Sequence, residues 1–248
     1  MRACLILPER TEIGAITDTL QTAMELETIE PGGVIDRQAD SLFIDLTFDL
    51  YRRDVSVSWL YSEVGRIASM LEHYDTRDLR IYVLRGYPFR SNSRALLFRQ
   101  RVLSDFCHAL AEFHQARAVL VPTVISRQSF LSAQNPCVLI INAVRQDTAT
   151  KVGLREDSRF RLIYEMDLLD ALAGGSLTPG NVPLAVEGAE ISLRDVYEGA
   201  SRAAGNTPVT WDSKNFVHYD YPEGNFDTVS NLRYSFGDMM VDLISYLF

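Results

Sequence analysis

Between Leu79 and Ile125 the apolar positions change period twice, and the rest of the chain is best read outward from that stretch. Leu79, Ile81, Val83 and Leu84 make a short apolar run that ends at Gly86 and Pro88, predicting a strand over 79–85 and a loop over 86–93. From Arg94 to His114, Ala95, Phe98, Val102, Phe106, Leu110 and Phe113 recur every three or four residues. That spacing predicts a long helix with this stripe against the core, and Arg99, Arg101, Asp105 and Glu112 largely off it. Arg117 to Ile125 is nearly all apolar, as in a strand covered on both faces. A strand–helix–strand unit of this kind implies a right-handed crossover in a largely parallel sheet.

The same reading extends to both ends. Ala3–Leu7 is a first strand, and Thr11 is placed to cap a helix carrying Ile13, Ile16, Leu20 and Met24 on one face. Leu42, Ile44, Leu46, Phe48 and Leu50 alternate with Asp45, Thr47 and Asp49, which predicts a strand with one wet or partner-facing side. Val55, Val57 and Trp59 alternate likewise and suggest a hairpin, while 63–73 reads as a short helix. Cys137–Ile141 and Arg159–Tyr164 are further strand candidates, with a polar surface excursion over 142–158. Gly174 to Gly180 is turn-rich, Ser192 can cap a helix through Ala204, and 205–231 has little period and reads as a long loop or arm. The expected class is therefore a single α/β domain over residues 1–248, with a mostly parallel central sheet covered by helices.

Composition narrows the function classes. The 248 residues are 47% hydrophobic and 23% charged with a net charge of −9, a globular composition without the positive charge that phosphate neutralisation on nucleic acid requires. No basic run flanks an amphipathic helix, so no membrane surface is expected. Ala3–Leu7 is too short for a signal peptide or a span, and the expected compartment is the cytoplasm, with the nucleus added in a eukaryote. Cys4, Cys107 and Cys137 are widely spaced and odd in number, which predicts buried free thiols.

Candidate chemistry is sparse. Arg90, Ser91, Ser93 and Arg94 lie between a predicted parallel strand and a helix N-terminus, where α/β sheets bind ligands and free N–H groups favour anions. They define one alternative, a nucleoside-phosphorylase-like or other phosphate-binding enzyme. Against it, G-x-G-x-x-G and the P-loop motif are both missing, and Ser91 or Ser93 as a plain helix cap explains much of the same composition. His73, His108, His114 and His218 have no metal-ligand spacing, so no metal and no cofactor are expected. Asp45 and Asp49 share a strand face, but a solvated face is the simpler reading. The end, Ile244 to Phe248, is apolar and aromatic, suited either to burial or to insertion into a partner's pocket.

Several segments together resemble the proteasome assembly chaperone 2 family. They are Leu79 to Phe89, Ala116 to Thr123, Ala173-Gly-Gly-Ser-Leu-Thr178, Arg233-Tyr-Ser-Phe-Gly237 and the terminal Leu247-Phe248. The resemblance implies a phosphorylase-like α/β sandwich without catalytic activity, pairing with a second, related chaperone and binding the α-subunit ring of the 20S proteasome. It also implies a docking tail over about 241–248, with Tyr246, Leu247 and Phe248 as the partner-binding residues. Tyr246 is third from the end where the family's tail has a penultimate tyrosine.

Overall fold

The computed structural model describes residues 2–7, 15–29, 33, 35, 39–47, 55–73, 76, 78–125, 135–173, 177, 182–205, 207–220, 224–230 and 232–245. The expected class holds: this is an α/β domain built on a parallel sheet. In chain order its first half contains β1 (Arg2–Ile6), α1 (Ala15–Ala23), β2 (Glu25–Ile29), β3 (Ser41–Leu46), α2 (Val57–Glu72), β4 (Arg80–Gly86), β5 (Phe89–Ser91), α3 (Arg94–His114), β6 (Arg117–Val121) and β7 (Thr123–Ile125). The second half contains α4 (Pro136–Arg145), β8 (Thr150–Val152), β9 (Arg159–Tyr164), α5 (Glu165–Ala173), β10 (Leu184–Val186) and β11 (Ala189–Ser192). It closes with α6 (Leu193–Ala204), β12 (Val209–Trp211), β13 (Val217–Tyr219), β14 (Asp227–Val229) and α7 (Phe236–Ser245).

Seven strands form one sheet in the order β14-β10-β6-β4-β3-β1-β2, every pairing parallel. Parallel sheets need cover on both faces. Here α2 and α3 pack Leu60, Ile67, Val102, Phe106 and Leu110 against Leu42, Ile44, Ile81 and Val83 on one face. On the other, α1 and α5 pack Ile16, Leu20, Leu168 and Leu172 against Ala3, Leu5, Phe43 and Leu84.

A second sheet, β11-β9-β13-β5 with β7 also on β9, stands at the carboxyl edge of the first. Its position follows from the chain path. β4 leaves the parallel sheet at Gly86 and enters β5 at Phe89; β6 leaves at Val121 and, across Pro122, enters β7 at Thr123. The stretch 117–125 expected as one strand is therefore two, in different sheets, because proline lacks the N–H that would continue the ladder. Helices α4 and α6 cover the second sheet, with Val138, Ile141, Val196 and Ala200 against Phe160, Leu162 and Val217.

Other expectations need correction. Cys137–Ile141 lies in α4: Asn135 caps it, accepting from the Cys137 N–H at 2.9 Å, and Pro136 fills its first turn. Val57 and Trp59 lie in α2, capped by Ser56, so no hairpin forms there. β3 has no wet side, since all six of its residues are buried at the middle of the sheet. On α3, Val102, Phe106 and Leu110 face inward as expected and Leu103 and Cys107 join them, but Ala95, Phe98 and Phe113 are exposed. The supposed arm over 205–231 contains three short strands, β12 to β14. The Ser192 cap is as expected and is a full capping box with Asp195. All three cysteines are buried and free, and burial pushes the Cys107 thiol up to about 11.

Candidate functional site

The strand order reverses at β1, because the chain steps outward to β2 and then returns to β3 on β1's other side. Open α/β sheets bind ligands in the crevice beyond the carboxyl ends of such strands. At the end of β1, the Leu7 carbonyl accepts from Arg66 Nη2 at 3.0 Å. Arg66 also forks onto Glu63 Oε2, with Nε at 3.2 Å and Nη2 at 3.0 Å, one helical turn away on α2. The Glu63 side chain is only 4% exposed and that of Arg66 21%.

Asp45 is at the end of β3, and its Oδ1 accepts from the Thr47 N–H at 2.8 Å and the Thr47 hydroxyl at 2.6 Å. Burial nevertheless pushes its carboxyl above the ordinary aspartate value, the two Thr47 bonds opposing that only in part. Asp45 is thus a buried acid, and the solvated face expected for it is absent: the helices on both sides of the sheet exclude water. Asp45 at the end of β3, and the Glu63–Arg66 pair on α2 that reaches the end of β1 through the Leu7 carbonyl, are the candidate site.

The other end of the same edge is filled. The Tyr87 hydroxyl donates to the Val186 carbonyl at 2.6 Å, and the Arg161 guanidinium lies 5.6 Å from the centre of the Tyr87 ring. Arg161 also reaches the Gly188 carbonyl at 3.5 Å and Glu190 at 3.3 Å. A Cβ on Gly188 would stand 2.7 Å from the Pro122 ring and 2.8 Å from the Leu162 carbonyl, so the two sheets meet there at backbone distance. Asp167, also buried, takes the backbone N–H of Arg233 at 3.0 Å and ties the approach to α7 onto α5.

The residues singled out from sequence fall elsewhere. Arg90 lies on β5, where its Nε and Nη2 fork onto Asp220 at 2.6 and 2.9 Å. Ser93 caps α3, Ser91 accepts from the Ser93 N–H at 3.1 Å, and Arg94 is exposed. The phosphate-loop alternative is corrected accordingly: its first arginine holds a carboxylate and its serines serve the helix end. Tyr246, Leu247 and Phe248 lie outside the described residues. Among the described residues no group of three or more His, Cys, Asp or Glu could hold a metal ion, and no helix is long and apolar enough to cross a membrane. A cleft of about 790 Å³ on the second sheet includes Arg155, Arg159 and Arg194, paired with Asp157, Glu190 and Glu156 respectively.

An all-parallel sheet with a reversal point and a second sheet on its carboxyl edge is an arrangement this chain shares with solved structures. A GalE-like L-threonine dehydrogenase from Cupriavidus necator matches over 99% of this chain and 99% of its own, with a TM-score of 0.58 and 10% identity. A GDP-L-fucose synthetase from Naegleria fowleri bound to NADP matches over 99% and 92%, with a TM-score of 0.60 and 12% identity. The GDP-mannoheptose C4 reductase of Campylobacter jejuni, with NADP bound, matches over 98% of each chain at 0.59 and 9%. No family model and no curated protein sequence matches. At these identities the likeness is one of fold.

This finding overturns the chaperone reading. The chain has the fold of NAD(P)-dependent dehydrogenases and reductases, not that of a proteasome assembly chaperone. The expectations that rested on that resemblance fall with it: the lack of enzymatic activity, the α-subunit ring and the second chaperone. The resembling segments misled because strand–loop–helix patterns such as 79–89 and 116–123 occur throughout α/β folds.

Proposed function

We propose that the protein is a small-molecule enzyme of the reductase, epimerase and dehydratase architecture, acting on a nucleotide-linked substrate at the carboxyl edge of its seven-stranded sheet. The observation that supports this is correspondence over the whole chain, second lobe included, with enzymes of that type. Two of those neighbours carry a guanosine-diphosphate sugar in their names. Asp45, Thr47, Glu63 and Arg66 are the polar groups of the site.

The residues between β1 and α1, which lie outside the described residues apart from Leu7, do not carry the glycine pattern of a dinucleotide site. Counting back from Gly14, the first two glycines of a G-x-G-x-x-G turn fall on Glu9 and Thr11, and Glu12 adds a second carboxylate. Arg66, the cation fixed at the end of β1, is already matched by Glu63. The sequence there supplies carboxylates at Glu9 and Glu12 and no glycine pair for a pyrophosphate.

The test is thermal unfolding of the full chain with guanosine- and uridine-diphosphate sugars and with oxidised and reduced NAD and NADP. A ligand at 100 times its Kd adds about 2.7 kcal/mol. That corresponds to roughly 5–10 °C in Tm for a domain of this size. The expected result is such a rise with at least one nucleoside diphosphate sugar and a smaller one with the dinucleotides. No rise with any of them overturns the proposal.

A further inference from the structure

The two edges of the seven-stranded sheet are finished differently. At one, β14 is three residues long, and its first residue, Asp227, is held by the buried Arg117 guanidinium. At the other, β2 is five residues long and pairs with β1 in unbroken register from Glu25 to Ile29, with no bulge to bend it away. It carries no proline and no lysine, and among the described residues nothing pairs with its outward N–H and C=O groups. A straight, unpaired edge of this kind is a template for one more strand.

The side chains of β2 select which strand can be added. Leu26 packs inward beside Leu5 and Leu20. Glu25 and Glu27, on the opposite face by the two-residue alternation, are both exposed. The Glu25 side chain is 77% exposed and meets Arg2 only at 3.7 Å. Like charges directly opposite one another destabilise a strand pair, and opposite charges stabilise it. An antiparallel copy of β2 centred on the strand's midpoint would set Glu27 against Glu27, so the edge works against a second copy of this chain in that register.

A strand with lysine or arginine at every second position instead sets a cation opposite each carboxylate, at the same spacing of roughly 6.7 Å. The net charge of −9 attracts such a segment and repels an acidic one. We propose that the outer edge of β2 docks an extended basic segment of another protein, which joins the sheet beyond β2. Backbone hydrogen bonds supply the affinity, and Glu25 and Glu27 supply the selectivity.

Fluorescence anisotropy of the full chain tests this with a labelled, end-blocked heptapeptide in which lysine and valine alternate. Two companions go with it: one with glutamate in place of lysine, and one with lysine kept but every backbone nitrogen methylated, so that it cannot donate to the ladder. The lysine peptide should half-saturate below about 500 µM and bind at least tenfold more tightly than either companion. With Glu25→Lys and Glu27→Lys together the preference should reverse, the glutamate peptide binding at least tenfold more tightly than the lysine one. Both positions are exposed, so the melting temperature of this variant should match wild type to within about 2 °C. No binding of the lysine peptide at about 1 mM overturns the proposal. Equal binding of the methylated peptide does so too, by showing attraction of charge alone. So does a charge-reversed variant that keeps the wild-type preference.

Discussion

The two ends of the carboxyl edge use their side chains differently. At the β4–β6–β10 end, Tyr87, Pro122, Arg161 and Gly188 are spent on joining one sheet to the other, and their polar atoms go to backbone carbonyls and to Glu190. At the β1–β3 end, Asp45 at the end of β3 and Glu63 and Arg66 on α2 are ionisable and mostly withdrawn from water, and none of them joins the second sheet in the contacts described. Buried charge is costly to keep without a use. The difference separates a joint from a candidate site, and substitutions at the two ends should separate stability from ligand response.

The largest expected effect is at the charged end. Arg66→Ala removes the counter-charge of a Glu63 side chain that is 4% exposed, together with the donor to Leu7. Breaking a buried pair on one side costs about 3–5 kcal/mol, and partial exposure of Arg66 brings the expectation to about 2–4. Thermal unfolding should show a fall of roughly 5–15 °C. The stabilisation by nucleotide-linked ligands should vanish as well. A variant that loses neither stability nor ligand response would dissolve the distinction between the ends.

At the joint, Gly188→Ala forces a methyl to within 2.8 Å of the Pro122 ring and the Leu162 carbonyl, neither of which is the free end of a flexible side chain. Overpacking of this kind costs about 1–3 kcal/mol. Tm should fall in proportion, while the ligand-induced shift, measured from the variant's own baseline, stays as in wild type. If that shift disappears too, the joint is part of the site.

Much of the frame was legible in the sequence, and the site was not. Strand 79–85, helix 94–114 and the Ser192 cap could be read because periodicity and capping are local. The α4 segment was lost because Cys137–Ile141 is apolar all round, which suits a buried strand or a buried helix equally; the Asn135-Pro136 start was the signal that would have decided it. The exposed Phe98 and Phe113 were assigned inward because a stripe of spacing three and four can be drawn on more than one side of so long a helix. Asp45 was read as wet because alternation cannot tell a solvated strand face from one covered by another helix. Glu63 and Arg66 carried only a one-turn charge pair, the commonest decoration of an exposed helix. The reversal of strand order, which singles these residues out, is a property of topology and is written nowhere locally.

The smallest effect should have the opposite sign. Burial raises the Asp45 pKa above its unfolded value, so over the interval between the two values the native state keeps a proton that the unfolded chain has lost. Stability from this residue is therefore fully present below the unfolded value of about 3.8, falls as pH rises towards the raised folded value, and stays low above it. In Asp45→Asn the amide cannot titrate, and its oxygen still accepts from the Thr47 N–H and hydroxyl. The substitution should raise Tm at neutral pH by a few degrees, at about 2–4 °C per kcal/mol, and this advantage should shrink as pH is lowered towards 4. It should also blunt the ligand-induced shift, which no residue of the joint does. An Asp45→Asn variant less stable than wild type at pH 7 but equal to it at pH 4 would show that the native state relies on the charged carboxylate, and the candidate site would lose its buried acid.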